Sequence, residues 1–215
     1  MSPTAKLLVA TYNKGKLKEI LRIFRSEIPE IELFTLEEFP GAEDVEEVGD
    51  TFEANALLKA RSGFAHSGIP TLGDDSGLMI DALEGRPGIY SARYSGESDP
   101  LLKDQANVEK VLDELSGVLE PLRTARFVTV AALVTGPNPQ DELVVRGELE
   151  GMILSAPRGD GGFGYDPIFT PVGMAKTLAE LTADEKDEIS HRGRALRKMA
   201  PLLGLRFAQI QRPVE

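Results

Sequence analysis

Residues 71–96 read TLGDDSGLMIDALEGRPGIYSARYSG, and the meaning of the whole chain turns on this stretch. A short apolar approach reaches Gly73, two carboxylates follow at Asp74 and Asp75, and Ser76-Gly77 leads into a second strand-like run, Leu78-Met79-Ile80. Successive side chains of a strand point to opposite faces. Both aspartates therefore reach one site only if the backbone bends, and Gly73 and Gly77 permit a bend. Adjacent acids at a strand end suit a divalent cation, because Mg2+ takes one or two carboxylates and fills its shell with water and substrate phosphate. The plainer alternative is a polar hairpin turn in which aspartate serves turn chemistry.

Working outward, Gly68-Ile69-Pro70 closes a helix that starts near Asp50, with Glu53 three residues on as in a capping box, and Phe52, Ala56, Ala60 and Phe64 supply its buried stripe. Further upstream, Lys6 to Tyr12 holds Leu7, Leu8 and Val9 and reads as a buried strand. It breaks at Asn13, and Leu17, Ile20, Leu21 and Phe24 then recur at helical spacing, so the unit is strand, tight turn, helix. Ile31 to Thr35 alternates as a second strand, and residues 37–50 form an acid-rich loop. Downstream, Pro100 after Ser98-Asp99 predicts a helix start, with Val108, Val111, Leu112 and Leu115 on one face. Residues 126–135 and 143–154 are rich in β-branched and apolar side chains, and the intervening Gly-Pro-Asn-Pro predicts an antiparallel hairpin. Thr182 with Glu185 forms a further capping box, and Ser190 caps a last helix that buries Leu196, Met199 and Leu203. The expected architecture is α/β: a mixed central sheet flanked by helices, in two lobes with a cleft between them.

Composition removes several functions. The formal charge of −11 over 215 residues argues against sequence-independent nucleic-acid binding, which needs a basic footprint. A polyanion still binds where a metal and a few focused lysines and arginines reverse the local potential. With no cysteine, disulfides, thiolate catalysis and cysteine-ligated zinc are excluded. No apolar run is long enough to span a membrane and the N-terminal one is too short for a signal peptide, so a cytoplasmic setting is expected.

Chemistry-bearing residues recur at four more places. Thr11, Asn13, Lys14 and Lys16 stand at a strand–helix junction, where free N–H groups and lysines make an anion site. It is no Walker P-loop, since Leu17 follows Gly15-Lys16. An ordinary capped helix with solvated lysines explains it equally well. Asn55 and Lys59 share a helix face, and Glu46 and Glu47 could complete a metal site with the aspartates or be a solvated charge run. Gly159 to Gly164 satisfies the dinucleotide pattern G-x-G-x-x-G, but Pro167 and Pro171 follow where a helix is required. Phe163 and Tyr165 in that loop are base-stacking aromatics or core anchors. Finally, Ser190-His191-Arg192 opens the last helix with donors suited to a base-edge carbonyl, or lies on a plain surface helix.

Taken in order, these motifs resemble those of the inosine/xanthosine triphosphate pyrophosphatases, from Lys6 to about Leu203. The resemblance rests on Thr11-x-Asn13-x-x-Lys16, Asn55-Ala56-x-x-Lys59-Ala60, Asp74-Asp75-Ser76-Gly77 through Ser91-Ala92-Arg93-Tyr94, Gly162-Phe163-Gly164-Tyr165-Asp166-Pro167, and Ser190-His191-Arg192. It implies one two-lobed domain over residues 1–215, usually a homodimer, that hydrolyses aberrant purine nucleoside triphosphates (ITP, dITP, XTP) with Mg2+ as cofactor. By that resemblance Thr11, Tyr12, Asn13, Lys14, Gly15 and Lys16 cradle the triphosphate, helped by Lys59. Asp75 is the catalytic acceptor and a metal ligand, supported by Asp74 and by Glu46 or Glu47. Ser76 touches substrate, Phe163, Gly164, Tyr165 and Asp166 hold base and sugar, and Lys186, His191 and Arg192 complete the base pocket. One departure stands out: the glutamate at the start of the second helix, Glu53, is one place from the family's position, about 100° around the helix. Two rivals are a related pyrophosphatase acting on dTTP, UTP or modified pyrimidine nucleotides, and a non-catalytic nucleotide sensor.

Overall fold

The structure, a computed structural model, describes residues 5–43 and 45–210, without the side chains of 209 and 210. Its strands are β1 Lys6–Ala10, β2 Glu32–Thr35, β3 Thr71–Ile80, β4 Thr124–Val134, β5 Glu142–Ile153 and β6 Phe169–Pro171. The helices are α1 Lys14–Glu27, α2 Phe52–Ser67, α3 Lys103–Glu114, α4 Ala183–Ile189 and α5 His191–Ile210. The strands form one sheet in the order β2-β1-β3-β4-β5-β6. β1 runs parallel to β2 and β3, while β5 and β6 are antiparallel, so the sheet is mixed as expected.

Two compact units divide the chain. The first holds residues up to Asp75, Thr129–Gly147 and the chain from Arg192 onward; the second holds Ser76–Val128 and Glu148–His191. Each has its own apolar core. In the first, Leu7 and Val9 of β1 and Leu72 of β3 meet Ile20, Ile23 and Phe24 of α1 and Leu196, Met199 and Leu203 of α5. In the second, Leu78, Val111, Leu115, Phe127, Ile153 and Phe169 are packed together.

β3 corrects the reading of the central stretch. It is one unbroken ten-residue strand, with no turn at the aspartates and no bend at Gly73. Glycine serves a different purpose there. A Cβ on Gly73 would lie 2.4 Å from the Ala56 carbonyl and 2.7 Å from the Ala60 amide, so its absence lets α2 approach the strand backbone. Side-chain alternation then sends Asp75 to the α2 side with Gly73, and Asp74 to the side of Leu72, α1 and α5.

Smaller corrections concern helix ends. Thr51, not Asp50, caps α2, its hydroxyl accepting from the Ala54 amide at 3.1 Å. Phe64 is half-buried, and its expected place against the sheet falls to Gly63, where a Cβ would lie 2.7 Å from the Thr71 methyl. α3 begins at Lys103, after a turn in which the Leu102 and Lys103 amides donate to the Asp99 carbonyl. The Thr182–Glu185 capping box is formed as expected.

Candidate active site

The turn after β1 is held by its own polar side chains. Asn13 Oδ1 accepts from the Lys16 amide at 3.0 Å and Thr11 Oγ1 from the Asn13 amide at 3.2 Å. This cap satisfies one of the amides that a helix start leaves open, and no acidic residue sits in the first turn of α1. Tyr12 is exposed and its hydroxyl donates to the Ala42 carbonyl at 2.6 Å. Lys14 is exposed and Gly15 half-buried, whereas Lys16 is buried and turned toward β3. Its Nζ lies 3.5 Å from Asp74 Oδ2 and 4.0 Å from Asp75 Oδ1. The long lysine spans two carboxylates that leave opposite faces of one strand, so no backbone bend is needed.

On the α2 side, Asn55 Nδ2 donates to Asp75 Oδ2 at 3.1 Å while its Oδ1 accepts from the Gly49 amide at 2.8 Å. One helical turn on, Lys59 Nζ stands 3.6 Å from Asp75 Oδ1, donates to the Asp74 carbonyl at 3.1 Å and salt-bridges Glu47. On the α1–α5 side, Arg192 donates from Nε and Nη2 to Asp74 Oδ2, each at 3.4 Å, and salt-bridges Glu19. Arg192 is 1% exposed and Glu19 5% exposed, so their charges are compensated by each other and by Asp74 rather than by water.

The neighbouring aspartates titrate in opposite directions. Burial pushes the Asp75 carboxyl above the ordinary range against the pull of Lys16 and Lys59, with Glu47 adding to the rise and the Asn55 hydrogen bond opposing it. Burial also disfavours charge on Asp74, but Lys16, Arg192 and Lys59 outweigh it and hold that carboxyl below the ordinary range. Lys16 is lowered by burial, with Lys59 and Arg192 adding to the effect and Asp74 and Asp75 opposing it. For Lys59 burial is outweighed by Asp75, Asp74 and Glu47, and the ammonium is raised. Asp74 is thus a fixed charge.

Whether these residues fit a divalent cation is testable on the geometry. Asp74 Oδ1 is buried and has no hydrogen-bond partner among the described residues. Glu47 and Asp75 both converge on Lys59 Nζ. Among the described residues no group of three or more His, Asp or Glu side chains forms a metal cage. Such a donor set fits Mg2+, which takes few protein carboxylates. Glu46, expected as an alternative ligand, is exposed, and among the described loop acids it is Glu47 that reaches the cluster.

Ser76 is half-buried and opens the second unit. There Lys186 and Asp166 are buried and salt-bridged, and the Lys186 ammonium stands 4.7 Å from the Phe163 ring centroid. Asp166 Oδ2 also accepts from the Phe163 amide at 2.9 Å. Gly162 is required by that contact: its φ is +70°, and a Cβ would fall 2.1 Å from Asp166 Oδ2. The two loop aromatics separate into different roles. Tyr165 is a core anchor, 4% exposed, with its hydroxyl donating to the Ser91 carbonyl at 2.9 Å and its phenol raised by burial. Phe163 is half-buried on the loop. His191 is buried and stacks on Phe127, with centroids 4.6 Å apart and planes within 10°.

Several placements differ from expectation. Arg192, expected on a base edge, has its guanidinium on Glu19 and Asp74. Glu19 was not singled out, although its position three residues after Lys16 on an amphipathic helix puts it on the same face. Asn55 was noted only as a neighbour of Lys59, and it is the residue hydrogen-bonded to Asp75. Glu53 pairs with Arg146 at 3.1 Å on the surface, apart from this cluster.

Fold and charged centre together define a mixed α/β protein in which two buried aspartates, one lowered and one raised in pKa, share a strand beside a capped, lysine-bearing helix start. The chain belongs to the Ham1 family, which it matches over residues 7–202. It is 49% identical over 199 residues to the dITP/XTP pyrophosphatase of Geobacter sulfurreducens, covering 93% of this chain and 96% of that one. With the dITP/XTP pyrophosphatase of Bacillus cereus (strain ZK / E33L) it shares 47% identity, over 93% and 95% of the two chains. A HAM1 protein from Coxiella burnetii has the same fold, with a TM-score of 0.81 and 40% identity over 93% of this chain and 98% of that one.

Proposed function

We propose that this chain is a nucleoside triphosphate pyrophosphatase that hydrolyses aberrant purine nucleotides, dITP, XTP and ITP, to the monophosphate and pyrophosphate. The observation that carries the reading is Asp75: a carboxylate raised by burial, hydrogen-bonded to Asn55 and within reach of two buried lysines. The names of the relatives supply the substrate class.

In the reaction, Asp75 orients a water and takes its proton as the oxygen attacks the α-phosphorus. The bond from that phosphorus to the bridging oxygen breaks, and pyrophosphate leaves with the electron pair. Lys16 and Lys59 neutralise charge that grows on the phosphate oxygens, while Lys14 and the open amides of α1 hold the outer phosphates. Asp74 stays ionised and keeps Lys16 and Arg192 in place. Glu19, Glu47, Asp74 and Asp75 share this cluster with Lys16, Lys59 and Arg192, and added positive charge there favours a polyanion. Glu47 and Asp75 would hold Mg2+, which when bound supplies that charge as a Lewis acid.

At the other end of the substrate, the Phe163 ring stacks on the base, held by the Lys186–Asp166 pair. With Arg192 engaged elsewhere, donors for a purine 6-oxo group fall to Lys186 and His191, and the 6-amino group of adenine offers them no acceptor. The family resemblance supports a homodimer acting on the cytoplasmic nucleotide pool; among the described residues no helix is long and apolar enough to cross a membrane.

Pyrophosphate release from dITP, XTP, ITP, GTP, ATP and dTTP, with Mg2+ and with chelator, tests the proposal. The expected order places dITP, XTP and ITP well above the rest, with activity lost in chelator. Preference for dTTP would move the chain to the pyrimidine-directed enzymes, and tight dITP binding without turnover would make it a sensor.

A further inference from the structure

Four polar residues of α3, Asp104, Asn107, Lys110 and Glu114, recur at helical spacing and face one way. Each holds another segment of the second unit. Glu114 accepts from the Tyr94 hydroxyl at 2.6 Å and Lys110 donates to the Tyr94 carbonyl at 2.8 Å. Asn107 accepts from the Ser95 amide at 2.7 Å and donates to the Ser91 carbonyl at 3.3 Å. That same carbonyl receives the Tyr165 hydroxyl. Asp104, at the open end of the stripe, accepts from the Gly164 amide at 2.8 Å.

Gly164 is the first central residue of the turn Phe163–Asp166, closed by the Asp166 amide donating to the Phe163 carbonyl at 3.3 Å. Its φ of +60° is open to glycine at little cost, and nothing lies within 4 Å of a Cβ built there. A glycine so placed leaves the turn free to rearrange unless its peptide is held from outside. The Phe163 amide is bonded within the turn, to Asp166. The Gly164 amide is bonded to Asp104, sixty positions away in sequence.

We propose that Asp104 is a positioning residue that latches the turn carrying Phe163, and thereby sets how tightly the base end of the nucleotide is held. This rests on the functional reading above, in which Phe163 stacks on the base. Asp104 itself is exposed, unlike the buried Asn107, so removing it leaves the core intact.

Asp104→Ala is compared with Asp104→Asn, whose amide oxygen still accepts the bond. For dITP with Mg2+, Asp104→Ala raises KM by about fivefold to tenfold, in keeping with the loss of one solvent-exposed hydrogen bond, and leaves kcat nearly unchanged. Asp104→Asn returns KM most of the way. Inhibition by inorganic tripolyphosphate, a probe of the phosphate end alone, stays at the wild-type value in both variants. In the free protein, exchange of the Gly164 amide with solvent deuterium is faster in Asp104→Ala and restored in Asp104→Asn.

An unchanged KM in Asp104→Ala, equal defects in the two variants, or a parallel loss of tripolyphosphate affinity overturns the latch. Wild-type protein inert toward dITP defeats the functional reading instead. The amide exchange then still decides whether Asp104 holds the turn.

Discussion

The charged cluster around Asp75 and the turn around Phe163 both bury lysine–carboxylate pairs, yet they treat charge in different ways. In the first, Lys16 and Lys59 each approach more than one carboxylate, and the aspartates are pushed apart, Asp74 downward and Asp75 upward. In the second, Lys186 and Asp166 are buried together beside a ring. A network of competing charges drives two neighbouring carboxyls in opposite directions. A buried pair beside a ring creates shape. Under the proposed function chemistry falls to the first region and recognition to the second, and mutations should separate kcat from KM along that division.

The largest effect expected is at Asp75. Asp75→Asn keeps the shape and the Asn55 contact but removes the base, so kcat for dITP falls by about 10² to 10⁴ while dITP is still bound. Calorimetric binding with Ca2+ in place of Mg2+ checks the second half. A variant with normal turnover would transfer the role of base to another group.

Next in size are the opposite stability effects of the paired aspartates. Asp75 binds its proton more tightly folded than unfolded, so its contribution is greatest below the ordinary carboxylate pKa and declines as pH rises through its raised folded value. Asp74 is depressed, so its contribution is present above the ordinary pKa and is lost as pH falls through its folded value. At neutral pH, Asp75→Asn therefore raises the melting temperature. Asp74→Asn lowers stability by about 3–5 kcal/mol, because buried Arg192 loses a carboxylate. Thermal melts from acid to neutral pH read both signs.

Gly73→Ala tests the close approach of α2. The added methyl meets backbone, not a flexible side chain, so a loss of about 1–3 kcal/mol is expected, with kcat reduced because Asn55 and Lys59 move with the helix. Lys186→Met should raise KM for dITP about tenfold with kcat nearly constant, and lower stability by about 3–5 kcal/mol because buried Asp166 loses its cation. The smallest effect belongs to Glu53→Ala. Its exposed pair with Arg146 contributes about 0.2–1 kcal/mol at most, and activity should not change.

Much of this was legible along the chain because it is local. The Asn13 cap, the Thr182 capping box and the Gly68 helix end are read within a few residues, since capping is a short-range hydrogen-bond problem. The apolar faces of α1 and α5 follow from helical period. Rejecting a dinucleotide fold at residues 159–164 required only the prolines, and the structure has a single 3-10 turn, Asp166–Ile168, followed by β6 where that fold needs an α-helix. Ordered motifs then led to the Ham1 family.

What the amino-acid order determined by itself was the kind of chemistry: paired aspartates, a lysine-bearing helix start, a glycine–aromatic loop, no thiol. Tertiary structure decided which of those groups meet. Glu19 and Arg192 are 173 positions apart and Asn55 and Asp75 twenty, and no local period announces either contact. The roles of Asp74 and Asp75 were likewise invisible, because they depend on opposite faces of one strand meeting different helices. A carboxylate's protonation is set by the charges and burial around it in space, and only the folded chain supplies those.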